Sequence, residues 1–223
     1  MKILYKIINS VAVLAIIPVM LFLPMFKFIM VVGVKSDNQL LSLFGNILDV
    51  NEIIKNAAGI DLENLPESYT IKEAYNMFFG ENAQVDTSQF DASILPDNLV
   101  KFFTAAGVLF VISLICALVV LILGIVTNKK TVTGAVAAGG LIFAVAANKC
   151  FTHIASQLVS GKISLVSVLA NMESLQQYKT YLDYLNLDIR IFELSSAYTM
   201  LIIVFAAIII LNVGFRIVEE TAS

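Results

Sequence analysis

Residues 101–130 read KFFTAAGVLFVISLICALVVLILGIVTNKK, and no charge interrupts them between Ala105 and Val126. The hydrocarbon core of a bilayer is about 30 Å thick, and a helix needs about 20 apolar residues to cross it. No water reaches the backbone inside that layer. The amides must therefore bond within the segment, and the run becomes a helix. Pro96 and Asp97, a favoured pair at helix starts, set its beginning near Leu99. Asn128, Lys129 and Lys130 leave room only for a tight turn, so the next apolar run returns antiparallel.

That next run, 131–158, is rich in small residues. Gly134 with Ala138, Ala135 with Gly139, and Gly140 with Ala144 are each four apart, so each pair shares a helix face. Helices in lipid associate by close packing rather than by expelling water. Gly134, Ala138, Gly140 and Ala144 are therefore the expected packing positions.

The first span, from about Ile7 to Phe26, follows Lys2 and Lys6. Its apolar part exceeds the roughly 7–15 residues of a signal-peptide core and no small-x-small site closes it, which favours a retained anchor. Pro18 and Pro24 should bend it or free backbone groups that a neighbouring helix must satisfy. The fourth span, about Ser195 to Phe215, carries Tyr198 where an interfacial aromatic residue would sit. Arg216 and a short acidic tail follow.

The composition agrees. Of 223 residues, 59% are hydrophobic and 14% charged, against roughly 45–50% and about 25% in soluble domains. No basic surface is present, which argues against a nucleic-acid partner. Two water-facing segments remain, 35–98 and 159–194. In the first, Leu40, Leu41, Phe44, Ile47 and Leu48 recur at helical spacing, and Thr70-Ile-Lys-Glu73 is a capping box opening a helix that ends at Gly80. In the second, Leu165, Val168, Leu169, Met172 and Leu175 fall on one helical face.

Lysine and arginine in short loops stay cytoplasmic. The segments 1–6, 128–131 and 216–223 hold Lys2, Lys6, Lys129, Lys130 and Arg216, whereas 35–98 carries eleven acids against three bases. Both termini and the 128–131 turn are accordingly placed inside, although Lys27, Lys35, Lys101, Lys149, Lys162 and Arg190 flank the other ends. The long loop has no cysteine, since Cys116 and Cys150 lie in or beside spans, and the chain has no Asn-x-Ser/Thr sequon. Extracellular eukaryotic loops of this length often carry disulfides or glycans, so a bacterial plasma membrane is expected.

The most suggestive polar group is Asn148, Lys149, His153 and Gln157, of which the last three are each four apart on one helix face. Ionisable groups within a membrane often serve transport. Against that, a rise of about 1.5 Å per residue from Thr131 puts Lys149 roughly 27 Å along the helix, at the far edge of the hydrocarbon, where a lysine snorkels into water. Lys27, Lys101 and Lys149 fall at comparable depth on three helices and could form a basic collar for anionic headgroups. The acids Asp61, Glu63, Asp86 and Asp91 lack EF-hand spacing and read as a solvated face. His153 is the only histidine, and neither a phosphate loop nor a Gly-x-Ser-x-Gly elbow is present. No enzymatic activity, metal or cofactor is expected.

Leu23-Pro24-Met25-Phe26-Lys27 resembles the segment where a claudin leaves its first helix. The layout is also similar to that of claudin-like tetraspan proteins, with cytoplasmic termini, a long first outer loop, a shorter second one and a tight inner turn. The likeness covers topology and those five residues. The hallmark tryptophan and paired loop cysteines of that family are missing, and its outer loop is a sheet where this one reads as helical. No functional residue carries over.

The expected fold is all-α: an antiparallel four-helix transmembrane bundle with a small helical extracytoplasmic cap. Its parts are a first span with an outer extension (7–34), a cap (35–98), a second span (99–127), a turn (128–131), a third span (131–158), a second outer loop (159–194), a fourth span (195–215) and a tail (216–223). Leu40, Phe44, Ile47, Tyr75, Phe78, Phe79, Leu169 and Met172 must be buried against each other or a partner, since about 25 cal/mol per Å² is lost where they face water. Two roles follow as expectations. One is a scaffold or accessory subunit that presents its cap to a membrane or extracytoplasmic protein, or to a second copy. The other is a small transporter or channel component using the polar face of the third span.

Overall fold

The computed structural model describes residues 2–34, 66–73, 96–127, 129–170, 179–182 and 185–221, with Glu52, Lys55, Asn76 and Gln176. In chain order these form helices α1 (Lys2–Leu14) and α2 (Ile16–Phe22), strands β1 (Phe26–Val34) and β2 (Ser68–Tyr69), and helices α3 (Asp97–Val126), α4 (Lys130–Val159), α5 (Leu165–Ala170) and α6 (Lys179–Leu182). Strand β3 (Leu185–Leu194) and helix α7 (Ser196–Thr221) complete them. Four helical stretches are long and apolar enough to cross a membrane: Ile3–Phe22, α3, α4 and α7. The chain divides into two compact units.

The helical unit comprises Met1–Met25, Phe102–Thr152 and Leu194–Ser223. Its first span is helical from Lys2, earlier than the expected Ile7, and is interrupted at Ala15. Pro18 explains the break, because it has no N–H to give the carbonyl of Leu14 four residues back. Pro24 ends the span, and the carbonyls freed there are used. Pro24 O accepts from the Ala197 N–H at 3.1 Å, and Met25 O accepts from the Ser195 N–H at 2.9 Å. Amides at the start of α7, which lack partners within their own helix, are thereby satisfied.

Small residues on α4 let neighbouring side chains approach its backbone. A Cβ on Gly140 would stand 2.6 Å from the Phe205 ring and 3.0 Å from the Cys116 Cβ. The Gly140 carbonyl accepts from the Ser113 hydroxyl at 3.1 Å. Ala137, Ala144, Leu201, Phe205 and Ile208 are fully buried, whereas Val108, Ile115, Leu118, Ile122, Ile203 and Ile210 are exposed. Apolar side chains on the outside of such helices suit a lipid solvent. Tyr198 does not serve as an interfacial belt residue. It is buried, its hydroxyl donates to the carbonyl of Ala144, and its ring lies 6.0 Å from that of Phe110. The expected tail beyond Phe215 is helical too: α7 continues to Thr221, and Arg216 Nε donates to Glu220 Oε1 at 2.8 Å one turn on.

The second unit comprises Phe26–Lys101 and His153–Glu193, and here the all-α expectation is corrected. It contains a three-stranded sheet in the order β2-β1-β3. Strands β1 and β2 run antiparallel, with Phe26 opposite Tyr69 and Lys27 opposite Ser68. The chain after Phe26 thus leaves the helix as a strand, and 159–194 ends in a ten-residue strand rather than staying helical. The physical reason is local. Residues 26–34, FKFIMVVGV, are mostly β-branched or aromatic. Residues 185–194, LNLDIRIFEL, alternate with period two: Leu187 and Ile189 are buried while Asn186, Asp188 and Arg190 are exposed.

The capping box forms in both directions. The Thr70 N–H donates to Glu73 Oε2 at 2.8 Å, and the Glu73 N–H donates to Thr70 Oγ1 at 3.2 Å. The Thr70 amide and hydroxyl hold the Glu73 carboxyl below its ordinary range. The stabilisation from this lowered value is complete above the ordinary pKa near 4.5 and is lost as pH falls through the lower folded value. Amide protection at residues 71–73 is therefore expected to weaken on acidification below that point, measured by hydrogen exchange against intrinsic rates. The Glu73→Gln substitution should flatten the dependence. Leu40, Phe44, Ile47, Tyr75, Phe78, Phe79 and Met172, with the acids Asp61, Glu63, Asp86 and Asp91, lie outside the described residues.

Candidate functional site: a buried polar network in the helical unit

The residues singled out from sequence do not converge. On α4, Lys149 and His153 are exposed, and Asn148 and Gln157 are half-buried. The local hydroxyls bond along the same helix: Thr152 donates to the Asn148 carbonyl at 2.8 Å and Ser156 to the His153 carbonyl at 2.7 Å. Of the three collar lysines, Lys101 and Lys149 are exposed on helices, whereas Lys27 is half-buried on strand β1. Among the packing positions, Gly140 and Ala144 are buried, while Gly134 and Ala138 are half-buried. A Cβ on Gly134 would lie 3.4 Å from the Asn212 side chain. Cys116 and Cys150 are half-buried free thiols. Among the described residues, no three His, Cys, Asp or Glu side chains gather as metal ligands would.

A different set of residues does come together. Tyr5 and Asn9 sit one turn apart on α1, Lys130 opens α4, and Asn212 and Glu219 lie on α7. The Tyr5 hydroxyl donates to Asn212 Oδ1 at 2.6 Å. Asn212 Nδ2 donates to its own helix at Ile208 O, 2.7 Å away, and to Asn9 Oδ1 at 3.3 Å. All three side chains are buried. Asn9 Nδ2 has no acceptor among the described residues, and it lies so near Gly124 that a Cβ there would collide with it. That contact explains the glycine in an otherwise branched apolar run.

Beside this relay stands a buried cation. Only 5% of the Lys130 side chain is exposed, and its ammonium forms an ion pair with the Glu219 carboxylate, which is 44% exposed. Nζ also lies 5.2 Å from the centroid of the Tyr5 ring and 5.7 Å from that of Phe215. The two rings meet edge-on at 5.4 Å, so each offers electron-rich surface to the charge. An ammonium screened from water needs such compensation, since leaving it unpaired costs several kcal/mol. Chemically the arrangement is a clamp. It neutralises its own charge and links the first, third and fourth spans.

In the sequence Lys130 reads as one of the turn bases, and Asn9 and Asn212 as isolated amides in apolar spans, so the network is not legible there. One signal was present: amides in apolar spans seek each other across helices. The Asn212→Leu substitution is expected to cost about 1–2 kcal/mol, near the upper end for interhelical hydrogen bonds in membranes, because it removes the bonds to both Tyr5 and Asn9. Thermal unfolding in detergent would show it, and Asn9→Leu should cost less because it leaves the Tyr5–Asn212 bond intact.

The sheet removes one contrast with claudin-like proteins, while the missing tryptophan and loop cysteines stand. No family model, curated protein or solved structure matches the chain.

Proposed function

We propose that this multi-pass membrane protein is a non-enzymatic scaffold or accessory subunit that presents its extracytoplasmic part to a partner protein. We propose further that both termini are cytoplasmic, which the lysines of segments 1–6 and 128–131 support, and that the membrane is a bacterial plasma membrane, which the absence of loop cysteines and sequons supports. One observation supports this role above the others. Apart from Asn9 Nδ2, the buried polar groups named in the helical unit are engaged with one another or with backbone: Tyr5, Asn9 Oδ1 and Asn212 in the relay, Lys130 with Glu219, and Ser113 with Gly140 O. A transport route needs polar groups arranged to receive an ion or solute in turn. The exposed positions of Lys149 and His153 also suit snorkelling to the interface rather than lining an interior path.

Two measurements on the full chain separate the roles. Mild-detergent purification after crosslinking on intact cells should recover a defined partner at fixed stoichiometry. A chain that remains strictly monomeric and alone contradicts the proposal. Replacing Lys149 and His153 together by leucine should leave folding and partner recovery unchanged, and a flux lost in that variant would favour the transport role instead.

A further inference from the structure

Strands β1, β2 and β3 bring four aromatic rings to one face of the sheet. Phe26 stacks on Tyr69 with centroids 4.9 Å apart and planes at 18°. Phe192 meets Phe26 edge-on at 6.4 Å and Phe28 edge-on at 5.7 Å. Tyr69 is buried, while Phe26 and Phe28 are half-buried. Side chains two apart on a strand share a face. Arg190, Asp188 and Asn186 therefore continue the Phe192 face along β3, and all three are exposed.

The order along the strands has physical meaning. Phe26 follows Phe22, the last helical residue of the first span, by four positions, and Phe192 precedes Ser196, the first of α7, by four. Four residues reach at most about 14 Å at 3.3–3.6 Å each. The helix Ile3–Phe22 has 20 residues, which is about 30 Å of rise and matches the hydrocarbon thickness. Phe26 and Phe192 are thus held within about 14 Å of the ends of two apolar helices, a range that takes in the headgroup zone of about 5–7 Å beyond the hydrocarbon. Moving away from α7 along β3, the face passes from Phe192 to Arg190 and then to Asp188 and Asn186. A bilayer offers an acyl boundary and, beside it, a phosphate layer. Aromatic rings favour that boundary, and a cation just beyond them meets the phosphates.

We propose that the aromatic face of this sheet beds in the interfacial layer of the bilayer, against lipid headgroups and upper acyl chains. The sheet is then a membrane-surface element rather than a detached aqueous cap. The inference rests on the four helices crossing the bilayer and is independent of the partner role.

The chain has no tryptophan, so one substitution supplies a unique fluorophore. Full-length Phe28→Trp, with Phe26→Trp as a second variant, is reconstituted into phosphatidylcholine vesicles containing a minority of phosphatidylglycerol. Matched vesicles carry bromine high or deep on the acyl chains. Ile115→Trp, at a 52% exposed position midway along α3, reports on the hydrocarbon. The Phe28→Trp and Phe26→Trp variants should be quenched about twofold by shallow bromine and less by deep bromine, as interfacial aromatics are. Ile115→Trp should show the reverse. If Ile115→Trp behaves so and the other two are unquenched, the proposal is overturned: emission typical of water means an open face, and blue-shifted emission means a face covered by protein. If Ile115→Trp is also unquenched, the membrane-spanning reading fails with it.

Discussion

Glu219→Gln should lower stability by about 3 kcal/mol, because it leaves the Lys130 ammonium buried with no opposing charge. The carboxylate side of the pair is 44% exposed while the lysine side is 5% exposed, so the two single substitutions should not be equivalent. Lys130→Met removes the buried charge and lets Glu219 turn to water, at a cost of about 1 kcal/mol that includes the lost contact with the Tyr5 and Phe215 rings. The double variant, with neither charge, should lie within about 1 kcal/mol of the native chain, because an apolar side chain of similar volume replaces a desolvated pair. For a chain of this size the first change corresponds to a midpoint lower by about 6–12 °C. Thermal unfolding in one detergent at one heating rate ranks the three. Equal or simply additive single effects would show that the ammonium is not held in the way described.

Gly140→Leu is expected to be at least as damaging, by about 3 kcal/mol or more, since an oversized side chain in a packed site forces neighbours out of their rotamers. The first added carbon would already lie 2.6 Å from the Phe205 ring and 3.0 Å from the Cys116 Cβ. Phe205 is fully buried and cannot swing clear. Gly139 beside it has nothing within 4 Å of such a carbon. Gly139→Ala should therefore be neutral or raise stability by about 0.5–1 kcal/mol, the usual difference between glycine and alanine within a helix. Two adjacent glycines thus respond with opposite signs. Part of the loss in Gly140→Ala should return when Phe205 is shortened to leucine. The same unfolding midpoints test this, and similar responses at 139 and 140 would exclude the close approach of α4 to its neighbours.

The spans were legible because an uncharged run of twenty residues has one solution in hydrocarbon. The ends of α3 at Asp97 and Val126 lie within two residues of the 99–127 expected from Pro96 and the Asn128–Lys130 turn, whereas the first span starts five residues before the expected Ile7. The small-residue spacing pointed to α4, and it is there that Phe205, Cys116 and Tyr198 approach the backbone. What stayed hidden depends on partners far apart in the chain. Tyr5 and Asn212 are 207 residues apart, and Asn9 and Asn212 are 203 apart. No spacing rule within a single helix can bring them together. Lys130 looked like any turn lysine because its burial is created by two rings on other helices. Tyr198, placed by sequence at the interface, turns inward to reach the Ala144 carbonyl. The strands are hard to see in the sequence for another reason. The apolar run ending at Val34 adjoins a span, and the helical spacing at 165–175 stands beside the alternation at 185–194. At nine and ten residues both strands are long, but period two is weaker evidence than an unbroken greasy helix.

Everything rests on the hairpin of α3 and α4 and its flanking helices passing through the bilayer, so that position 129 and position 190 face different compartments. In a background of Cys116→Ala and Cys150→Ala, Lys129→Cys and Arg190→Cys each place one thiol at an exposed residue. A membrane-impermeant maleimide applied to intact cells should label Arg190→Cys at once and Lys129→Cys only after lysis. Equal labelling of both before lysis, or of neither, would contradict the account.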